Sequence, residues 1–336
     1  MKVALVETVG SLDNLKLVDR PEPRPGEGQV LVRLRAATLN YRDLIATAGG
    51  YGSHQRRENL IPLSDGAGEV VEVGAGVTQW TTGDRVVGHI FPKWLTGRPD
   101  EDRLSASLGG SVDGVACEYR VFGEHEILRV PDHLNYAEAA ALPCAALTAW
   151  VSVVAQAQTG PGQSVLTQGT GGVSLFALQF AKVAGAGIVA TSSSAEKLDL
   201  LRKLGASHVI NYKEDANWGH TTLRLVPGGV DLVVEIGGGQ TMGQSLRAVR
   251  TGGTVSVIGV VAGARHDLNV PVLILKNIRL QGASAGNRDD FADMLAAIAH
   301  HKLHPVMDRT FPLADLRAAL DHLKSGRHTG KICIAI

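Results

Sequence analysis

The stretch that most restricts how this chain can fold is Ser164 to Gly187, SVLTQGTGGVSLFALQFAKVAGAG. Ser164 to Gln168 carries Val and Leu and follows the turn Gly160-Pro161-Gly162, so it reads as a buried strand entered from a loop. Gly169-Thr170-Gly171-Gly172-Val173-Ser174 comes next, and Leu175, Leu178, Gln179 and Lys182 then continue at helical spacing to a stop at Gly185-Ala186-Gly187. Strand, glycine turn and helix in this order suit a dinucleotide pyrophosphate. The glycines let the backbone approach the phosphates, and the helix N-terminus offers unpaired N–H groups and a partial positive charge. Ser174 stands where the usual fingerprint has its third glycine, and on these six residues alone a bare glycine-rich turn is an equal reading.

The following segments favour the nucleotide reading. Ile188 to Thr191 is a second apolar run, Ala195 to Leu204 has helical spacing ending at Gly205, and His208 to Tyr212 reads as a third strand. Val230 to Ile236 and Gly253 to Val260 repeat the alternation around a helical Thr241 to Val249. Such alternation predicts a parallel sheet covered on both faces, a doubly wound α/β fold that binds its nucleotide after the first strand. Gly237 and the run Ile258-Gly259-Val260, at the ends of the later strands, are therefore counted with the cofactor site beside Gly169, Thr170, Gly171, Gly172 and Val173.

Residues 1 to 125 have another character. Short strand candidates (Val3 to Val6, Gln29 to Ala36, Gly68 to Val73, Arg85 to Gly88, Ala116 to Val121) alternate with Pro- and Gly-rich turns, which predicts a mostly antiparallel or barrel-like β domain. Lys93 to Gly114 reads as a surface loop, and Ala137 to Ala157 as an Ala-rich connecting helix interrupted by Pro143. Beyond Val260, strands are expected over Val270 to Gly282, helices over Asp289 to His300 and Leu313 to Leu323, and a last strand over Lys331 to Ile336, a tail that completes the first domain. The expected division is thus 1–125 with 266–336, and 126–265.

Thirty-three basic and 33 acidic residues balance, so no global field favours nucleic acid or an anionic membrane. No stretch approaches the ~20 uncharged apolar residues of a span, and Met1 to Glu7 lacks the apolar core of a signal peptide. Cys117, Cys144 and Cys333 are scattered and odd in number, which fits reduced thiols in a cytoplasmic protein. His300, His301 and His304 cluster where a helix ends; without an acid or thiol at fixed spacing, a solvated helix C-terminus is the expected reading.

GDRVVG at 83–88, LPCAALTAW at 142–150, QGTGGVSLFALQFAK at 168–182, KLGASHVINYKED at 203–215 and the ending SGRHTGKICI together resemble the medium-chain dehydrogenase/reductases along the whole chain. Within them the chain is similar to the zinc-independent branch of NADPH:quinone oxidoreductases and enone reductases. The resemblance implies a GroES-like β-rich catalytic domain, a Rossmann domain, a cleft between them and a homodimer. It also implies that Asn40, Tyr41 and Asp43 lie near the nicotinamide and that Thr148 touches its ring, although Asn40 and Asp43 are equally suited to capping a helix. Zinc-dependent relatives carry a His where this chain has Ser64 and a Cys where Leu39 to Asp43 offers none. Only Cys144 survives, and one thiol is short of the three ligands a catalytic zinc needs, so Cys144 is expected to be a small buried hydrophobe. The closely spaced cysteines of a structural zinc lobe are missing as well.

Cofactor choice is read at the end of the second strand. An NAD-specific site places an acid there for the ribose 2′-OH, whereas this chain has Thr191-Ser192-Ser193-Ser194 with Lys197 one helical turn on. Hydroxyls and an ammonium suit the 2′-phosphate of NADPH. Tyr212 and Arg327 match residues that contact or lie near that phosphate in the resembling reductases. Taken alone, Ser193 could be a helix cap and Lys197 part of a solvated face. The expected function is NADPH-dependent reduction of a quinone, enone or aldehyde without metal, with the cofactor carrying the hydride. A nucleotide-binding relative without turnover is the alternative from another class, and turnover separates the two. The apolar segment Val270 to Gly286 is expected to be a sheet edge that pairs across the dimer, unless it is an internal core strand.

Overall fold

A computed structural model describes all residues 1–336. The chain divides into two compact units, Met1–Leu147 with Gly286–Ile336, and Thr148–Ala285. The joints fall later than the expected 125 and 265, and two local causes account for it. Val130 donates its N–H to Arg85 O, and Thr38 Oγ1 donates 2.8 Å to Ala140 O, so the chain up to the connecting helix stays with the β unit. At the other joint, Arg279–Gly282 pairs in parallel with Val249–Val257, which holds the chain through Ala285 in the second unit.

The first unit is β-rich, as the turn pattern predicts. Lys2–Thr8 pairs with Leu15–Asp19 and Glu58–Leu60, while a seven-stranded sheet runs 307–312, 331–335, 29–38, 65–73, 85–88 and 127–129, with 119–123 also on 29–38. All pairings here are antiparallel except Met307–Pro312 on Lys331–Ala335. Gly68 must be a glycine because a Cβ there would lie 2.0 Å from Arg33 O. Val30, Val32, Leu34, Val70, Val86, Phe122, Ile127, Leu320 and Ile334 form one buried cluster. Each such side chain, fully buried, stabilises by roughly 1.5–3 kcal/mol.

In the second unit six parallel strands take the spatial order 208–211, 187–192, 164–168, 230–235, 249–257, 279–282. Counted along the chain this is 3-2-1-4-5-6, the doubly wound order, whose direction reverses between the first and fourth strands. Leu166, Val189, Val233 and Val255 lie at its centre, none more than 1% exposed.

Two segments depart from expectation. Val270–Lys276 is a helix rather than a strand. The Asn269 side chain accepts from Val272 N, Pro271 sits in the first turn, and Asn277 ends the helix at φ 48. These local caps outweigh the β preference of the Val, Ile and Leu run, and only Arg279–Gly282 is extended. The Ala-rich connection is also not one helix. It is Tyr136–Ala140, a wide-turn segment Leu142–Ala146 around Pro143, Leu147–Trp150, and a second wide turn Val151–Gln156.

Candidate active site

In the first unit, strand register assembles the site. Cys333 lies opposite Thr38, so Lys331, two residues earlier, falls beside Asn40; on the other side of the same strand Thr38 is opposite Asp65. The Lys331 ammonium is 2% exposed and donates to Asn40 Oδ1 at 2.6 Å, Leu39 O at 2.8 Å and Asp65 Oδ2 at 3.4 Å. Asp65 is completely buried, accepts Ser64 Oγ at 2.6 Å and receives the Cys144 N–H at 3.3 Å. Immediately before Ser64, the buried Leu63 sits at φ 70, a conformation that stores about 1–3 kcal/mol at a non-glycine residue and that Val115 N fixes by donating to Leu63 O.

Asn40 and Asp43 do cap a helix, Tyr41–Thr47. Asn40 N donates to Asp43 Oδ2 at 2.7 Å and Asp43 N to Asn40 O at 3.0 Å. Both are buried, leaving Asn40 Nδ2 and Asp43 Oδ1 without a hydrogen-bond partner. Burial pushes the Asp43 carboxyl up from 3.8 to about 7 against the opposing pull of the Arg42 charge. Of the three expected catalytic residues only Tyr41 is exposed, at 40%. Burial also pushes the Cys144 thiol up to about 12. No group of three His, Cys, Asp or Glu side chains is placed to hold a metal ion. Elsewhere in this unit, His300 and His301 do occupy a helix's last turn, and His304 Nδ1 reaches Glu138 Oε1 at 2.8 Å. Arg327 is exposed on this unit, its Nε donating to Ser325 Oγ at 3.2 Å.

Apart from Thr148, the second unit carries the remaining residues at or just beyond the C-terminal ends of its strands. Gly169 adopts φ 74 and donates its N–H to Thr191 O at 2.7 Å. Gly171 caps helix Gly172–Val183 with no side-chain bond, so no capping side chain occupies the N–H groups of its first turn. A Cβ at Gly169 or Gly171 would meet no atom within 4 Å, so the backbone is open to a close-lying anion. Thr170 is 4% exposed. Ser174 fits in place of the third glycine because its buried hydroxyl donates to Gln168 O at 2.5 Å. These residues fit a dinucleotide pyrophosphate.

At the second strand, Ser194 rather than Ser193 caps helix Ala195–Leu204, accepting from Lys197 N at 3.4 Å. Ser193 is therefore not committed to capping, and Lys197 is half-buried rather than on a fully solvated face. Tyr212 N donates to Ser192 O at 3.0 Å, and its ring is 42% exposed. Ser192, Ser193, Lys197 and Tyr212 thus share one strand end, with no acid among them. Ile258 N and Gly259 N both bond Glu235 O, and Val260 follows at 38% exposure. Thr148 is 3% exposed and opens this unit.

Sequence reasoning missed the group that holds the turn beside Gly169. Glu235, fully buried, accepts from Gly237 N and Gly238 N at 2.8 Å, Thr241 Oγ1 at 2.5 Å and Gln168 Nε2 at 2.7 Å, and also from Ser245 Oγ. The carboxylate is satisfied by donors alone. It also consumes the Gly237 N–H, so Gly237 offers a ligand close approach and not that donor. An acid closing an apolar strand before three glycines, Gly237 to Gly239, was the available signal.

Comparison with known proteins gives two family models: a zinc-binding dehydrogenase model over residues 172–300 and an alcohol dehydrogenase GroES-like domain model over 26–132. A zinc-type alcohol dehydrogenase-like protein of Schizosaccharomyces pombe is 39% identical, covering 100% of this chain and 99% of its own. Among solved structures, a Sinorhizobium meliloti protein provisionally described as an alcohol dehydrogenase matches with TM-score 0.93 at 41% identity over 100% of this chain and 98% of its own. A mycobacterial protein complexed with NADPH matches with TM-score 0.85 at 26% identity over 100% of both chains.

Proposed function

Since the chain belongs to the medium-chain dehydrogenase/reductases of the alcohol dehydrogenase superfamily, we propose that it is a zinc-independent, NADPH-dependent reductase of a quinone, enone or aldehyde. Membership makes it an NAD(P)H-dependent oxidoreductase. The finer reading rests on one observation: hydroxyls, a lysine and a tyrosine stand at the end of the second strand where an NAD site needs an acid. An additional support for working without zinc is that Asp65, the acid bonded to the Cys144 N–H, is already engaged by the Lys331 ammonium.

Bound at the glycine turn, the dinucleotide supplies a hydride, which with one proton completes the two-electron reduction of the acceptor. The residues do the rest. The open turn at Gly169 to Val173 holds the pyrophosphate, Glu235 and Gln168 fix the neighbouring turn, and Ser192, Ser193, Lys197 and Tyr212 take the 2′-phosphate. Thr148 faces the nicotinamide. In the first unit Lys331 orients the Asn40 amide, Asn40 and Asp43 hold the start of the helix, and Tyr41 contacts the acceptor. The working compartment is the cytoplasm. No helix is long and apolar enough to cross a membrane.

Lys197→Ala is expected to weaken NADPH binding by about 1–3 kcal/mol through loss of a charge-assisted contact while leaving NADH binding nearly unchanged. Titrating both cofactors against both proteins checks this; equal wild-type affinities, or equal losses in the variant, would show that the loop does not read the phosphate.

The protein is further proposed to be a homodimer. In the second unit Val261, Val270, Ile274 and Leu275 are 53%, 51%, 68% and 78% exposed, and Arg279–Gly282 is an edge strand with one side unpaired. Proteins cover such edges. A solution mass of twice 35.4 kDa is expected at micromolar concentration, and a mass of one chain would exclude the dimer.

A further inference from the structure

We propose that Arg42 anchors a carboxylate on the acceptor, so that the substrate is an acid: an aldehyde or enone that also bears a carboxylate group. The inference rests on the reductase reading and narrows its substrate class.

Arg42 lies in the first turn of helix Tyr41–Thr47, between the exposed Tyr41 and the buried Asp43. Its guanidinium is half-buried and held in place. Nη1 donates to Leu108 O at 2.7 Å, and Cζ lies 5.8 Å from the Tyr51 ring centroid. Room is left for it by Gly110, where a Cβ would come within 3.1 Å of Nη2 and 2.5 Å of Ser107 Oγ. No carboxylate of the chain pairs with it within 4.0 Å, although the acids around it are few and placed: Asp65 pairs with Lys331, and Asp43 Oδ2 takes the Asn40 N–H. Burial raises the adjacent Asp43 carboxyl to about 7 against the pull of Arg42, so near neutrality Asp43 offers Arg42 only part of a negative charge.

What remains is a positioned cation whose partners are the Leu108 carbonyl and the ring and hydroxyl of Tyr51. Partial desolvation without an anion is unfavourable for a guanidinium, and a planar monoanion that takes two parallel N–H bonds relieves it best. A neutral carbonyl would leave the charge uncompensated, while a phosphate dianion would exceed the single unpaired cation. Tyr51, 36% exposed, lies beside the guanidinium and supplies apolar surface for the body of such an acid.

The test compares 4-carboxybenzaldehyde with methyl 4-formylbenzoate as acceptors for NADPH, alongside equilibrium binding of benzoate in the absence of turnover. The wild type should favour the acid over the ester by at least about tenfold in kcat/KM, chiefly through KM, and Arg42→Gln should bring the ratio to within about twofold of unity and raise the benzoate Kd by about tenfold or more. Arg42→Lys, which keeps the charge but loses the fork, should fall between and serves if the glutamine variant does not fold. Equal kcat/KM for acid and ester in the wild type, or benzoate binding indifferent to both substitutions, would overturn the proposal. Benzoate binding that depends on Arg42 without turnover of either aldehyde would sustain the anchor and count against aldehyde reduction instead.

Discussion

Replacing Lys331 by methionine should lower the unfolding free energy by about 3–5 kcal/mol. The ammonium is enclosed with Asp65, and both side chains are 3% exposed or less. Its removal leaves the Asp65 carboxylate in the interior with Ser64 Oγ and the Cys144 N–H as its remaining donors, and strips Asn40 Oδ1 and Leu39 O of theirs. Breaking one side of a buried pair costs more than the pair is worth, because an uncompensated charge stays behind. The double variant Lys331→Met, Asp65→Leu should therefore recover much of the loss. Urea unfolding of the wild type, the single variants and the double variant measures the coupling. A single-variant loss under about 1 kcal/mol would show that Lys331 is not bearing this charge.

Asp43→Asn should change the pH profile of stability rather than its level at one pH. The folded-state value of about 7 lies above the ordinary 3.8, so the native state binds this proton more tightly than the unfolded chain does. That contribution is complete below the unfolded value and is lost as pH rises through the folded one. Between pH 5 and 8 the wild type should lose about 3 kcal/mol relative to the asparagine variant, following ~1.4 kcal/mol per pH unit up to the folded value. Asparagine can still accept the Asn40 N–H, so the helix start survives the substitution. Denaturant midpoints of both proteins across this range test it, and parallel profiles would mean that Asp43 is ionised in the native state.

The nucleotide unit was legible because its signals are local. The Gly169 turn, the helix stop at Gly205 and the alternation from Ser164 to Val257 each depend on a few adjacent residues, and all have counterparts in the fold. The missing acid at Ser192 and Ser193 could likewise be read off the chain. What lay hidden was whatever joins residues far apart in sequence. Lys331 reaches Asn40 across a strand pairing of residues 291 positions apart, and Glu235 meets Gln168 across 67, so neither network shows in any window. Val270–Lys276 misled for a different reason: its composition favours a strand, and only the caps at Asn269 and Asn277 decide for a helix. In the sequence, Asn40 and Asp43 suit a helix cap and a site equally. The caps are present, and what the sequence did not disclose is that these two are buried and Tyr41 between them is not.

The central claim, reduction by NADPH without zinc, is tested most directly by one experiment on chelator-dialysed protein. Its zinc content is determined by elemental analysis, and NADPH oxidation is followed at saturating NADPH with a quinone, enone and aldehyde panel. The account predicts far less than one zinc per chain, turnover undiminished by the chelator, and a lower rate with NADH at the same concentration. About one zinc per chain, removed by the chelator together with the activity, would contradict it.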